Sequence, residues 1–252
     1  MRAAAFLLAV VACGARPNAE VHGAWSAPVS PFQITDHVFY VGARNISAFL
    51  ITTSAGNILI DSGTVEMAPS VRAGIEKLGQ RVADTKILLC THAHFDHVGN
   101  HAALQRATHA QVMVMRGDDQ ALATGVDLSP LHGEGWAPVH VDRVLADGDR
   151  VELGGVTLEA IAAPGHTPGC TVWLIDQRIA IYGCARPNDE VALTPELVAT
   201  TRATFAKLRA LSPAIALVTH PDDPAELLHP KSWQALLDEA EAEFSARLST
   251  KN

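Results

Sequence analysis

Aromatic side chains are scarce in this 252-residue sequence, at 5 % of positions, so its core must be built from Ala, Val, Leu and Ile. Positive charge is short as well. Nineteen Lys and Arg against 27 Asp and Glu leave a formal charge of −8, which argues against a nucleic-acid partner, because phosphate binding needs a basic surface. No apolar run reaches the roughly 20 residues that a membrane span requires. Cysteine is limited to Cys13, Cys90, Cys170 and Cys184. With Cys13 in the leader, the odd number that remains demands no disulfide framework. Aliphatic residues and histidine are what the chain does have. Apolar residues make up 48 % and charged residues 18 %, enough for a substantial core and too apolar for global disorder. There are twelve histidines, and their positions matter more than their number.

The first residues read as an address. Arg2 is a short positive n-region, and Ala3–Ala12 is an apolar h-region of signal-peptide length. Val10-Val11-Ala12-Cys13 is similar to a bacterial lipobox, whose cysteine would carry a lipid anchor; cleavage after Gly14 or Ala15 is the alternative. The expected organisation is a leader over residues 1–15, an extended, turn-rich lead-in over 16–30 and one domain over 31–252. A periplasmic or secreted location follows from the leader.

Alternating apolar residues bounded by turn formers predict strands over His37–Val41, Ser47–Thr52 and Asn57–Asp61. Met67, Val71, Ile75 and Leu78 share one face of a predicted helix over Met67–Leu78. A strand at Ile87–Cys90 runs into a histidine cluster. A helix at Asn100–Thr108, a strand at Gln111–Met115 and a helix at Asp118–Thr124 come next. Gly125–His140 reads as a long surface loop. Strands resume at Arg143–Leu145, Arg150–Leu153, Val156–Ala162, Thr171–Ile175 and Ile179–Tyr182. A helix at Glu196–Leu211, a strand at Ile215–Val218 and an amphipathic helix at Ser232–Leu248 close the chain. Two batches of strands, each mixed with helices, predict an α/β fold of two halves packed sheet to sheet, with the helices outside.

The segment Thr91-His92-Ala93-His94-Phe95-Asp96-His97 delivers three histidines and a carboxylate within six residues at the end of an apolar strand. Residues at i and i+2 on extended chain point the same way, so His92 and His94 can grip one cation. Gly99 marks a sharp change of direction, and where the chain turns Asp96 and His97 can face a second. Imidazole and carboxylate together suit zinc, whereas magnesium and calcium prefer oxygen. Four groups cannot complete two sites. His166, just past Val156–Ala162, and His220, just past Ile215–Val218, supply the rest from other strand ends, where sites in layered α/β folds collect. Of the other histidines, only His132 in the long loop is kept as a substrate contact. His22, His37, His101, His109, His140 and His229 border strands or helices.

These residues, with Ile58-Leu59-Ile60-Asp61-Ser62-Gly63, resemble the metallo-β-lactamase superfamily. The likeness extends from about Trp25 to Leu248. Pro31-Phe32-Gln33-Ile34, Val38-Phe39-Tyr40-Val41-Gly42, Pro164-Gly165-His166-Thr167-Pro168-Gly169 and Thr204-Phe205-Ala206-Lys207-Leu208-Arg209 are most similar to class B β-lactamases of the third subclass. The resemblance implies a four-layer αβ/βα sandwich with two zinc ions in a shallow groove at one edge. It implies His92, His94 and His166 on the first zinc, Asp96, His97 and His220 on the second, and Asp61 as support behind the metal loop. It further implies a small-molecule substrate, a β-lactam, opened by a metal-bound hydroxide that Asp96 holds in line. No covalent intermediate is needed, so the absence of a Ser-x-x-Lys pair is no objection.

One segment departs from the pattern. Many hydrolases of this superfamily, including glyoxalase II and lactonases, place a metal-bridging aspartate after the strand at Ile179–Tyr182. Here Cys184 stands at that position, which favours a β-lactamase over the alternative of a zinc hydrolase of lactones, thioesters or other small esters. Cys184 either replaces a small polar residue or reaches the second zinc. Arg186, two residues on, is a candidate for pairing with a substrate carboxylate, and Cys170 is expected to pack.

Overall fold

The structure is a computed structural model and describes residues 23–249. The leader, with its h-region and Cys13, lies outside the described residues. Residues 23–25 are helical rather than extended, and Pro28 then bridges to Ala43.

Two sheets form the centre. The first has seven strands in sequence order: β1 (Phe32–Gln33), β2 (Val38–Tyr40), β3 (Phe49–Thr53), β4 (Gly56–Ile60), β5 (Thr85–Leu89), β6 (Gln111–Met115) and β7 (Arg143–Leu145). β1 to β4 pair antiparallel and β4 to β7 parallel. The second sheet runs β12 (Ile215–Val218), β11 (Ile179–Tyr182), β10 (Thr171–Ile175), β9 (Val156–Ala162), β8 (Arg150–Leu153), with only β11 and β12 parallel.

Period-2 patterning explains the packing of the sheets. In the first sheet Phe49, Ile51, Ile58, Ile60, Ile87, Leu89, Met113 and Met115 face the second, where Leu158, Ala160, Trp173, Ile175, Ile179, Ile181 and Leu217 meet them. The alternate residues Leu50, Leu59, Leu88, Val112 and Val114 face outward. They pack against Val71 and Ile75 of α1 (Ala68–Lys77), Ala102 and Leu104 of α3 (His101–Thr108), and Leu122 of α4 (Asp119–Thr124). On the far side Val172, Leu174, Ala180 and Tyr182 pack against Phe205 and Leu208 of α5 (Pro195–Leu208), and against Trp233, Leu237 and Phe244 of α6 (Trp233–Ser249). Helix, sheet, sheet and helix make the four layers expected.

One short helix, α2 (Phe95–Val98), carries Asp96 and His97. The segment between α4 and β7 holds no regular element, as expected of a long loop. Among the described residues no helix is long and apolar enough to cross a membrane.

Candidate metal centre

The parallel strands β4, β5 and β6 end at one edge of the first sheet, and β9 and β12 bring further loops to the same edge. Leaving β5, the chain is fixed from two sides before it reaches the histidines. The buried indole of Trp173, from the opposite sheet, donates to the Cys90 carbonyl at 2.9 Å. Asp61, just past β4 at φ 58°, accepts from the Thr91 N–H at 2.7 Å and from its hydroxyl at 2.8 Å. Held this way, extended chain presents His92 and His94, and α2 then turns Asp96 and His97 inward. His166 arrives on the loop between β9 and β10, and His220 on the loop after β12.

Two sets of three donors result. His92, His94 and His166 form one; Asp96, His97 and His220 form the other; within each, the donor atoms lie within 4.8 Å of one another. In the first set the ring centroids stand 4.7–4.8 Å apart. In the second, His97 Nε2 is 3.0 Å from His220 Nε2, and Asp96 Oδ2 is 3.5 Å and 3.4 Å from these nitrogens. Donors bound tetrahedrally at about 2.0–2.1 Å from a zinc ion stand roughly 3.3 Å apart, so this set is close to the size of one cation. The two sets adjoin, with the His92 and His97 rings 3.9 Å apart.

The outward nitrogens support the same reading. A metal-binding histidine characteristically gives its second ring nitrogen to an acceptor that fixes the tautomer, and all five histidines here do so. His97 Nδ1 meets Asp61 Oδ2 at 2.9 Å, and His92 Nδ1 meets Thr91 Oγ1 at 3.3 Å. His166 Nδ1 meets the Arg186 carbonyl at 3.2 Å, and His220 Nδ1 the Asn45 carbonyl at 3.0 Å. For His94 it is Nε2 that is engaged, by Ser129 Oγ at 3.1 Å, which leaves Nδ1 for the centre. The Thr91 hydroxyl passes its own proton to Asp61, so one carboxylate braces a histidine in each set.

Charge is distributed unevenly, with His92, His94 and His220 lowered and His97 and His166 raised. Burial, and then the neighbouring histidines, push His92 well below the usual imidazole range. Burial lowers His94 to about 4. Both rings are therefore neutral, the form that binds a cation. At His97 burial works against charge, but Asp96 and Asp61 outweigh it and raise the group to about 9. Burial favours neutral Asp96, yet His97, His220 and His94 hold it below the ordinary carboxylate range.

The fold places the three remaining candidates, Cys184, Arg186 and His132. The Cys184 thiol does not join the second set; it hydrogen-bonds to His166 and donates to the Arg186 carbonyl at 3.4 Å, against the first set. The cause is the course of the chain after β11, which passes the His166 loop rather than α2. The Arg186 guanidinium is engaged by Asp189 at 2.7 Å and Glu243 of α6 at 2.9 Å, so it points to the outer helix and is not free for a substrate carboxylate. His132 is exposed at a left-handed turn (φ 50°). The long loop meets the centre through Ser129 instead, with Asp127 Oδ2 3.7 Å from His94 Nε2. Cys170 is buried, as expected, and its thiol donates to the Cys184 carbonyl. No residue pattern along the chain points to Ser129, Thr91 or the buried Asp118 that ties two of the loops together.

The metallo-beta-lactamase superfamily profile matches residues 41–248, and the chain belongs to that superfamily, as one of its hydrolases. A solved metallo-β-lactamase of Cronobacter sakazakii is 32 % identical with a TM-score of 0.84, over 91 % of this chain and 98 % of that one. The metallo-β-lactamase FEZ-1 of Legionella gormanii is 30 % identical with a TM-score of 0.81, over 89 % of this chain and 97 % of that one. Among curated relatives, a hydroxyacylglutathione hydrolase of Rhodospirillum rubrum is 27 % identical over 48 % of this chain, and the match spans only 43 % of that relative's length.

Proposed function

We propose that the chain is an exported, zinc-dependent β-lactamase that holds two zinc ions, one on His92, His94 and His166 and one on Asp96, His97 and His220. The observation that carries the reading is the pair of adjoining three-donor sets, in which every histidine has its outer nitrogen fixed by a partner. The likeness to solved β-lactamases over nine-tenths of the chain favours a β-lactam as the substrate.

Bound there, zinc lowers the pKa of water toward neutrality and polarises a carbonyl. The chain's own residues set the rest. His92 and His97, buried side by side, keep the two positions within one substrate's reach. Asp96 is ionised at the junction, so its carboxylate can hold the attacking water in line and take a proton from it. His220, the exposed member of its set, leaves that side open for the ring nitrogen released when the C–N bond breaks. No side chain is required as a nucleophile.

A second reading, hydrolysis of a thioester or lactone, is favoured by the hydroxyacylglutathione hydrolases among the curated relatives. The test is turnover of a carbapenem and a chromogenic cephalosporin by purified protein, beside an acyl-lactone and a hydroxyacylglutathione. Turnover of the β-lactams that is lost on chelation and restored by zinc is expected. Turnover of the lactone or thioester alone would replace the proposed substrate.

A further inference from the structure

Asp118 contributes no atom to either donor set, yet both of its oxygens are held from two directions. Oδ2 accepts from the Ala93 N–H at 2.8 Å and from the Thr167 hydroxyl at 2.7 Å, and Oδ1 accepts from the Gly169 N–H at 2.7 Å. Ala93 lies between His92 and His94. Thr167 follows His166, and Gly169 closes the His166 loop. The carboxylate, 1 % exposed, thus joins a segment leaving β5 of one sheet to a loop leaving β9 of the other.

The approach is close enough to need glycine. A Cβ on Gly169 would lie 2.5 Å from the Asp118 nitrogen, and one on Gly117 (φ 107°) 2.8 Å from the Pro168 backbone. Asp118 does not reach the second donor set, where Asp61, which also supports His92 through Thr91, stands behind His97 and the Asn45 carbonyl stands behind His220.

We propose that Asp118 is the positioning residue of the first metal position, a buried carboxylate that holds the His92–His94 segment and the His166 loop at the spacing of one cation. The inference rests on the metal-centre reading above and assigns an asymmetry within it. Loss of Asp118 weakens the first position while the second keeps its metal. A carboxylate offers acceptors to all three donors at once, and these hydrogen bonds oppose the burial that raises the Asp118 pKa. An asparagine offers one acceptor oxygen and turns an NH2 group toward a donor.

The experiment is zinc titration of the full protein with bound-metal stoichiometry, the two events being assigned with His166→Ala and His220→Ala. In Asp118→Asn the affinity of the first position is expected to fall about 10–100-fold, the usual cost of losing such support, with the second unchanged. Thr167→Val removes one of the three donors and should weaken the same position less, which keeps the test open if Asp118→Asn folds poorly. Asp142→Asn removes a comparable acceptor away from the centre, where Asp142 Oδ2 takes the Val112 N–H at 2.8 Å, and should leave both affinities unaltered. Wild-type affinity at both positions in Asp118→Asn and Thr167→Val, or equal losses at the two positions, would overturn the proposal. Wild-type protein that binds no zinc would instead remove the metal-centre reading beneath it.

Discussion

His101 shows how much one side chain behind the centre can fix without touching a cation. It is fully buried at the start of α3, with Nε2 3.2 Å from the Leu89 carbonyl and Nδ1 2.8 Å from Ser62 Oγ. The carbonyl can only accept, so Nε2 carries the proton and Nδ1 accepts from the hydroxyl. Burial lowers its pKa to about 4. The unfolded chain binds this proton near pH 6.5 and the folded chain only near 4, so the contribution to stability is present above about 6.5 and is lost as pH falls toward 4. Between pH 7 and pH 5 the share of the loss due to His101 should be about 2 kcal/mol, added to that of the other buried, lowered histidines and read from urea unfolding at each pH. His101→Gln should make that dependence shallower by about this share, and an unaltered slope would contradict the assignment. Cys184 gives a second test at this scale. Its thiol lies outside both donor sets, so Cys184→Ser should retain wild-type zinc content and turnover; loss of one zinc would restore it as a ligand.

Elements rather than residues decide how the ligand loops are aimed. Trp173 spans the two sheets to reach the Cys90 carbonyl just ahead of His92. Trp173→Phe keeps most of the apolar volume but leaves a buried carbonyl without its donor, which should cost about 1–3 kcal/mol in denaturant unfolding. An unchanged midpoint would show that another group takes the bond. At the outer layer, Arg186 pairs with Glu243 of α6. Arg186→Ala should therefore lower stability by no more than about 1 kcal/mol, as exposed pairs do, and leave KM for carboxylated substrates as it was. A raised KM would return Arg186 to the substrate site.

The same scale explains what was legible in the sequence. The strands β6 to β12 lie where alternation and turn residues predict them, because each is a short apolar or alternating run with Gly, Asp or Pro shortly after it. The six donors were legible because they follow such strands directly. β1, of two residues, and α2, of four, are too short to show a period. Ser129, Thr91 and Asp118 were silent for a different reason. Their roles depend on backbones from separate elements meeting, and no spacing along the chain records that. Arg186 and Cys184 stayed open in the sequence because the direction of a side chain after a strand end is set by the loop, not by its distance in sequence from a motif.

At the scale of the molecule, a metal held by the two donor sets would fasten the two sheets together. His92, His94, Asp96 and His97 come from the first sheet, and His166 and His220 from loops of the second. A cation bound only by the folded form stabilises it by mass action, by about 2.7 kcal/mol at a hundred times its Kd. Chelation should therefore lower Tm, and zinc should restore it; a Tm indifferent to both would separate folding from the centre. The most direct test of the central claim is anomalous diffraction at the zinc edge from crystals of the purified protein. The account predicts two peaks, one among His92, His94 and His166 and the other among Asp96, His97 and His220. A zinc-loaded crystal with a single peak, or with none at these residues, would contradict it.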